Sequence, residues 1–332
     1  MTDRVALKRS FLDATPWSAA KVVSMTGDAS NRRYDRLYLG GDTAILMDAA
    51  PERGENVRPF IRIGEHLRTQ GFSAPEILAR DVENGFLLLE DLGDDRFKEV
   101  LEDAPHREKE LYRDATDALI ALHQCPLLPD LPAYGPQKMV EVCEPVFTSY
   151  CLHLTGDVST EHQTRFNTAL FELLTQCTGG PEVLVERDFH AENLLWLPNR
   201  DGVARVGMLD YQDAASGHPS YDLVSMLQDA RRDVSEEVET AMIAHYIDKT
   251  SVDPTAFTTA YWALGLQRNL RIVGVFARLA TQMGKPHYVD FIPRVWAHIE
   301  RALLRPELAK IEPIIRETVP TPTTENLRKL KA

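Results

Sequence analysis

A short apolar hairpin inside a helix-rich region is the feature that most constrains the fold of this chain. Two apolar runs, 193–197 and 203–209, flank an Asn-Arg-Asp-Gly turn at 199–202. From residue 96 onward, the rest of the sequence carries its apolar residues mostly at helical spacing. An isolated pair of buried strands among helices is unusual. The polar side chains at its ends indicate that the pair positions a functional site.

The N-terminal part has a different pattern. Residues 20–90 contain short apolar runs separated by turn residues, with a single helix predicted at 56–70. Together the two patterns predict an α+β fold with two parts. These are a small antiparallel-sheet lobe at 1–92 and a large, mostly helical lobe at 93–318. Residues 319–332 are polar and interrupted by proline, which predicts a loosely held tail.

Composition narrows the class of partner. The 332-residue chain has a formal net charge of −13, which disfavours duplex nucleic acid and anionic membranes as broad-surface partners. The four cysteines form no C-x-x-C pair and predict neither a disulfide framework nor a zinc site. The N-terminus has no apolar leader, and no run approaches the ~20 apolar residues that a membrane span needs. We therefore expect a cytoplasmic protein that acts on a small molecule, and we predict no protein partner.

Acidic and amide residues frame the hairpin at informative intervals. Asn193 follows Asp188 by five residues, and Asp210 follows Asp188 by 22. A D-x-x-x-x-N loop, a hairpin and a second Asp form the arrangement in which kinase folds build a phosphoryl-transfer site. Asp188 would take or orient the proton of the acceptor hydroxyl, while Asn193 and Asp210 would supply oxygen ligands to Mg²⁺. Asp222 lies in the first turn of a predicted helix, where capping, or hydrogen bonding to the catalytic loop, is its expected structural role.

The segments around these residues, 186–196 and 209–227, resemble the signature regions of the aminoglycoside phosphotransferase-like superfamily. The resemblance extends over roughly residues 20–305 and implies a two-lobed, protein-kinase-like fold that uses ATP and Mg²⁺. Several further stretches resemble one branch, the anomeric N-acetylmuramate/N-acetylglucosamine kinases of bacterial cell-wall recycling. These stretches are 27–34, 47–49, 210–214, 265–270 and 274–279.

The resemblance also implies a nucleotide site in the N-terminal lobe. A small-residue loop carrying Gly27, Ser30, Asn31 and Arg32 would cover the ATP phosphates. The segment Glu90, Asp91 and Leu92 would join the lobes and meet the adenine edge. Most relatives carry a phosphate-binding Lys on the third strand, paired with a helix Glu. Here the strand at 44–48 has no Lys, so Glu65 stands in the place of that Glu without its partner, and Arg32 and Arg33 are the nearest replacement cations.

Acceptor binding is expected in the helical lobe. Arg268 and Arg271 share one helix face, which is interpreted either as a solvated basic surface or as a site for an acceptor carboxylate. Gln267 and Asn269 would hydrogen-bond an acetamido group or hydroxyls. His190 would touch the sugar or make a local backbone contact.

These observations predict a small-molecule kinase that transfers the γ-phosphate of ATP to the anomeric hydroxyl of N-acetylmuramate or N-acetylglucosamine. Two alternatives stay open at this point. An aminoglycoside or other amino-alcohol kinase would suit the negative net charge. A pseudokinase that binds nucleotide without transferring phosphate would account for the missing lysine.

Overall fold

The strand-rich N-terminal segment forms one antiparallel sheet. The structure is a computed structural model, and it describes residues 4–25 and 31–331. Numbered along the chain, the five strands of the sheet lie side by side in the order first, second, third, fifth, fourth. Gly40 and Gly41, with φ of 61° and 104°, form the tight turn of the predicted hairpin between the second and third strands, a geometry that glycine adopts at low cost. The strands are β1 (Lys21–Ser24), β2 (Arg33–Leu39), β3 (Asp42–Asp48), β4 (Ile77–Asp81) and β5 (Phe86–Glu90).

One face of this sheet is covered by α1 (Arg4–Asp13), a helix that the sequence analysis did not predict. Phe11 and Leu12 of α1 are buried against the inward-facing side chains of the sheet, which are Leu37, Ala44, Leu46, Phe86 and Leu88. The predicted helix at 56–70 is α2 (Arg58–Thr69), and α3 (Phe97–Asp103) follows the sheet.

Four short strands lie around the sequence that carries the candidate site. The predicted hairpin is confirmed as an antiparallel pair of the second and third of them. The outer two, which were not predicted as a pair, also run antiparallel to each other. The four are β6 (Val183–Val185), β7 (Leu194–Trp196), β8 (Val206–Met208) and β9 (Ala215–Gly217).

The chain divides into two compact units, and the division differs from the predicted boundary at 92/93. The first unit comprises Met1–Asp103 and Glu192–Asp213, and the second comprises Ala104–Ala191 and Ala214–Ala332. The β7–β8 hairpin therefore belongs with the sheet and not with the helices. The reason is local: the N–H of Met208 donates to the carbonyl of Ser73, and the N–H of Trp196 to that of Asp95, at 3.0 and 2.7 Å.

The second unit is built around α10 (Pro254–Met283), a 30-residue helix that is buried along most of its length. It begins at Pro254, where the Asp253 carboxylate accepts a hydrogen bond from the N–H of Ala256, and it ends before Gly284. The π-helical segment Val146–Cys151 packs against it. The helices of this unit are α4 (Glu108–Gln124), α5 (Pro136–Glu141), α6 (Leu152–Thr155), α7 (Thr160–Cys177), α8 (Ser220–Leu227), α9 (Glu236–Thr250), α10 (Pro254–Met283), α11 (Ile292–Leu303), α12 (Glu312–Thr318) and α13 (Thr324–Lys331).

The C-terminal segment is not the loose tail that its composition predicts. Helix α13 buries Leu330, and its neighbours on the chain are tied to the rest of the unit. The Tyr150 hydroxyl donates to the carbonyl of Pro320 at 2.8 Å, and the Lys331 ammonium pairs with Asp290. Across the described residues, no helix has the length and apolar content that crossing a membrane requires.

Candidate active site

The loop that carries Asp188 begins with a strained turn. Arg187 has φ of 74°, a left-handed conformation that costs a non-glycine residue about 1–2 kcal/mol. The backbone N–H groups of Glu186 and Arg187 donate to the two carboxylate oxygens of Asp222, at 2.6 and 2.8 Å. Asp222 is fully buried in the first turn of α8. Its carboxylate therefore holds the backbone directly before Asp188, which is the second of the roles that the sequence suggests for it.

Arginine side chains dominate the electrostatics around Asp188. Burial would raise the pKa of Asp188, but the positive charges of Arg271, Arg268 and Arg187 lower it below its ordinary value. Asp188 is therefore an ionised carboxylate near neutral pH. In that state it can accept a hydrogen bond, or a proton, from a hydroxyl group.

The next residues of the loop are enclosed by the second unit. The N–H of Ala191 donates to the Asp229 carboxylate at 3.4 Å. His190 is 7% exposed, and burial lowers the pKa of its imidazole. Because the imidazole is so enclosed, it offers little surface to a sugar. This favours the other role expected for His190, a local contact with the backbone. After Ala191 the chain passes from the second unit into the first.

Asn193 and Asp210 lie close together at the open end of the β7–β8 hairpin. Leu194 is paired with Met208, and one step further the N–H of Leu209 donates to the carbonyl of Asn193 at 2.9 Å. Asp210 follows directly, with φ of 61°. The hairpin thus brings together the two residues that the sequence analysis predicts as metal ligands, across 17 residues of chain.

The pair fits Mg²⁺ by the chemistry of its donors. Carboxylate and amide oxygens suit Mg²⁺, which commonly takes one or two protein ligands and completes its shell with water and phosphate oxygens. Over 4–25 and 31–331, no cluster of three or more His, Cys, Asp or Glu side chains could enclose a metal. In the described chain, a site at Asn193 and Asp210 would therefore keep open positions for a phosphate.

Tyr211 anchors the residue next to Asp210. Its ring stacks on Phe60 of α2 with 4.8 Å between the ring centroids. Gly64, one turn further along α2, leaves room for it, because a Cβ there would lie 2.5 Å from the Tyr211 hydroxyl oxygen. This packing holds the residue that follows Asp210 against helix α2 of the same unit.

A cation of the same unit interacts electrostatically with Asp210. Arg32 pairs with Glu55, with 2.9 Å between Nε and Oε2, and both side chains are largely buried. Burial would lower the pKa of Arg32, but Tyr34, Glu55 and Asp210 raise it. Arg32 is therefore a positive charge that is held in place by Glu55 and that interacts with Asp210, a predicted metal ligand.

The other predicted phosphate-site residues have different outcomes. Gly27 and Ser30 lie outside the described residues. Asn31 is exposed, and its amide donates to the carbonyl of Arg53 at 3.4 Å.

The structure corrects the expectation for Glu65. Its side chain is more than half exposed and pairs with Arg80 of β4, with 2.9 Å between Oε1 and Nη1. Glu65 is therefore not the partner of a phosphate-binding cation. Glu55 makes that kind of contact instead, with Arg32.

The segment expected to meet adenine follows β5. The Glu90 carboxylate pairs with Arg200, and the Asp91 carboxylate pairs with Arg36, at 2.5 and 2.9 Å. Leu92 is half-buried. These ion pairs leave the backbone of Asp91 and Leu92 as the candidate contact with a nucleotide, and that contact stays a prediction.

Of the four α10 residues expected to bind the acceptor, three are buried. Gln267 and Asn269 are 0% exposed and donate to the carbonyl of Met139 and to Gln228, at 2.8 and 2.7 Å. The structure corrects their predicted role, because a side chain with no accessible surface and protein partners of its own packs the helix and does not contact a sugar.

The two α10 arginines expected at the acceptor site differ from each other. Arg268 is 3% exposed and donates from Nη2 to the hydroxyl of Ser225 at 2.7 Å. Arg271 is half-buried and interacts electrostatically with Tyr134, Tyr221 and Asp188, which raise its pKa, against the lowering by burial. Of these two, Arg271 is the one that retains accessible surface.

Sequence reasoning missed three side chains that support these residues. They are Glu55, beside Arg32, Ser225, one turn after Asp222, and Asp229, which holds the N–H of Ala191. Ser225 shares a helix face with Asp222 because it follows three residues later, and this spacing is the only signal that could have indicated it.

Comparison with known proteins identifies the family. The family model described as the phosphotransferase enzyme family matches residues 21–256. The chain belongs to this family. It is 37% identical to an N-acetylmuramate/N-acetylglucosamine kinase of Caulobacter vibrioides over 97% of this chain and 98% of that protein. It is 34% identical to a protein of the same name from Pseudomonas aeruginosa, over 88% and 87%.

Solved structures with low sequence identity share the fold. A choline kinase from Streptococcus pneumoniae matches with a TM-score of 0.63 at 13% identity, covering 90% of this chain and 100% of its own. An ADP-bound aminoglycoside phosphotransferase matches with a TM-score of 0.57 at 13% identity, covering 92% and 100%. The expected protein-kinase-like fold is thereby confirmed, and this phosphotransferase is a small-molecule kinase, which implies ATP as phosphoryl donor.

Proposed function

We propose that this kinase phosphorylates the anomeric hydroxyl of N-acetylmuramate and N-acetylglucosamine. Relatives that bear this name match the chain almost end to end at 29–37% identity. The stretches that suggested the same branch from sequence lie in both units, at 27–34 and 265–270 among others.

The charge around Asp188 is the observation that carries the choice of acceptor. Three positively charged side chains, Arg187, Arg268 and Arg271, lower its pKa, and they outnumber its acidic neighbour Asp222. A polycationic aminoglycoside bound beside them would be repelled, whereas a neutral or anionic N-acetylated sugar would not. This local charge outweighs the net charge of −13, because charges beyond a Debye length of about 8–10 Å are screened.

In this proposal Asp188 acts on the acceptor. Its carboxylate orients the anomeric O–H and accepts the proton as the oxygen bonds to the γ-phosphorus, while the bond to the β-phosphate oxygen breaks and ADP leaves. An anomeric hydroxyl is more acidic than an ordinary alcohol, so a carboxylate with a lowered pKa is an adequate base. Asp222 supports this step by holding the backbone before Asp188.

Asn193 and Asp210 would hold Mg²⁺, which when bound neutralises phosphate charge. Arg32, buttressed by Glu55, would bind a phosphate oxygen and so supply the positive charge that the third strand lacks. Arg271 would contact the lactyl carboxylate of N-acetylmuramate.

The alternative of a nucleotide-binding protein without activity is less well supported. The reason to consider it is that the third strand, at 44–48, has no lysine. The chain nevertheless carries Asp188, Asn193 and Asp210, which binding alone does not require. Arg32 offers a replacement for the missing charge.

Phosphate transfer from labelled ATP to N-acetylmuramate, N-acetylglucosamine, kanamycin and choline tests the proposal. We expect turnover with the two N-acetylated sugars. Asp188→Asn should lower kcat about 10²–10⁴-fold with the affinity for ATP changed only a few-fold. Arg271→Met should raise KM for N-acetylmuramate more than for N-acetylglucosamine, because only the former carries a carboxylate. Turnover with kanamycin or choline alone would reject the acceptor, and equal turnover by wild type and Asp188→Asn would reject the role of Asp188.

A further inference from the structure

The backbone carbonyl before Asp188 is held by a chain of two side chains from different helices. The Ser225 hydroxyl, on α8, donates to the carbonyl oxygen of Arg187 at 3.2 Å. The Arg268 guanidinium, on α10, donates in turn to the Ser225 oxygen at 2.7 Å. Ser225 is fully buried, and Arg268 nearly so. With the Asp222 carboxylate on the N–H side, the left-handed peptide at Arg187 is thus fixed from both sides.

A left-handed non-glycine residue persists only where its surroundings hold it. Without the Ser225 hydroxyl, the Arg187 carbonyl would lose the donor that it has in this turn. The residue that follows is Asp188, so any relaxation of the Arg187 peptide displaces its carboxylate directly. Misplacement of a reacting group by about 1 Å can cost on the order of 100-fold in rate.

The competing interpretation makes Arg268 a ligand of the acceptor. Its Nε and Nη1 atoms have no hydrogen-bond partner within the described chain, which leaves donors to spare. They have no accessible surface, however, and the side chain as a whole is 3% exposed. On this part of α10, Arg271 is half-buried and so retains more accessible surface than Arg268.

We infer that Arg268 and Ser225 are positioning residues for the transfer reaction, acting through the Arg187 carbonyl to set the place of Asp188. The inference rests on the proposed function for its kinetic consequence. It predicts that both residues affect kcat and that neither affects substrate binding. It also predicts that they act as one unit, because Arg268 reaches the carbonyl only through Ser225.

Kinetics of Arg268→Met, Ser225→Ala and the double variant test this coupling. Each single variant should lower kcat at least about tenfold, counted per molecule that binds nucleotide, with KM for ATP and sugar within about threefold. The double variant should fall no more than about threefold below the poorer single variant. Arg268→Lys, whose ammonium can still donate to the Ser225 oxygen, should retain more kcat than Arg268→Met. Arg278→Met, an exposed arginine of the same helix, is the matched control and should leave kcat unchanged.

Hydrogen exchange of the segment 186–190 provides a second measurement that does not depend on activity. Both single variants should speed exchange at Arg187 and Asp188, and Arg278→Met should not. Unchanged kcat in Ser225→Ala, a raised acceptor KM with normal kcat in Arg268→Met, or losses that multiply in the double variant would each overturn the positioning role. If wild type transfers phosphate to no sugar, the proposed function fails. The exchange data then decide the inference alone, and unchanged exchange in both variants overturns it.

Discussion

At the scale of single residues, Arg32 takes the place of a phosphate-binding lysine in our proposal. Arg32→Ala should raise KM for ATP about tenfold to a hundredfold, because a hydrogen bond to a charged group contributes about 1.5–3 kcal/mol. Glu55→Gln should raise it less, by about threefold, since the amide oxygen can still accept from the Arg32 Nε while the charge that buttresses it is lost. Initial rates at varied ATP, with saturating sugar, measure both effects.

Arg58→Ala is the control for those variants. Arg58 lies on α2 of the same unit and is mostly exposed, and it pairs with Glu83, which is still more exposed. Pairs of this kind contribute little, so its KM for ATP should equal that of wild type. A KM for ATP that stays normal in Arg32→Ala would remove Arg32 from the nucleotide site.

Residue types and spacing indicated the candidate catalytic and metal-binding residues, but not the side chains that support them. Asp188, Asn193 and Asp210 were indicated by short intervals along the chain, and Asp222 by its place at the start of a helix. The burial of Gln267, Arg268 and Asn269 was not predictable, because a run of polar residues on a helix usually indicates exposure. Here each of the three side chains donates a hydrogen bond to a partner inside the protein, at distances along the chain that no spacing rule encodes.

At the scale of elements, long periodic helices and hairpins with marked turns were predictable. The hairpin at 193–209 has the expected type and nearly the expected bounds, and the segment of α10 that carries Arg268 and Arg271 is helical as expected. Helix α1 and helix α13 were missed because their sequences are polar overall, and each is held by a few apolar residues such as Phe11 or Leu330. Tertiary packing decided these two helices, where local pattern did not.

Close packing of α10 against the segment before the π-helical turn yields an element-scale prediction. A Cβ at Gly274 would lie 2.4 Å from the Val146 nitrogen and 2.5 Å from the Pro145 carbonyl carbon. Both are backbone atoms, which cannot rotate away as a side chain does, so Gly274→Ala should destabilise the protein by about 2 kcal/mol or more. The thermal unfolding midpoint should fall by several degrees.

Gly179→Ala is the matched control for this substitution. Gly179 is exposed, and a Cβ there would meet no atom within 4 Å. Its midpoint should stay close to that of wild type. A midpoint for Gly274→Ala equal to that of Gly179→Ala would show that α10 and the Pro145 segment can separate at no cost.

At the scale of the whole molecule, the chain passes twice from the first unit to the second. The hairpin segment 192–213 returns to the unit that begins the chain. The side chains that bind it there are Phe60, stacked on Tyr211, Ser73, whose hydroxyl donates to the carbonyl of Ala204 at 2.6 Å, and Glu90, paired with Arg200. A single predicted boundary at 92/93 cannot describe this arrangement. Sequence patterns divide the chain into consecutive segments, whereas the first unit is built from two segments that are far apart in the sequence.

This arrangement predicts how fragments of the chain behave. In the fragment 1–103 alone, Phe60 and Ser73 lack the hairpin residues that they contact in the whole chain. This fragment should therefore give poorly dispersed amide resonances and no cooperative thermal transition. The same fragment joined to 192–213 by a flexible Gly/Ser linker should give dispersed amide resonances and a cooperative transition, because it restores the whole unit. Tyr211→Ala in the joined fragment should lower its midpoint by several degrees, through loss of the Phe60 stack. If 1–103 alone unfolds with the same midpoint as the joined fragment, the hairpin contributes nothing to the first unit, and the site residues Asn193 and Asp210 are not anchored there.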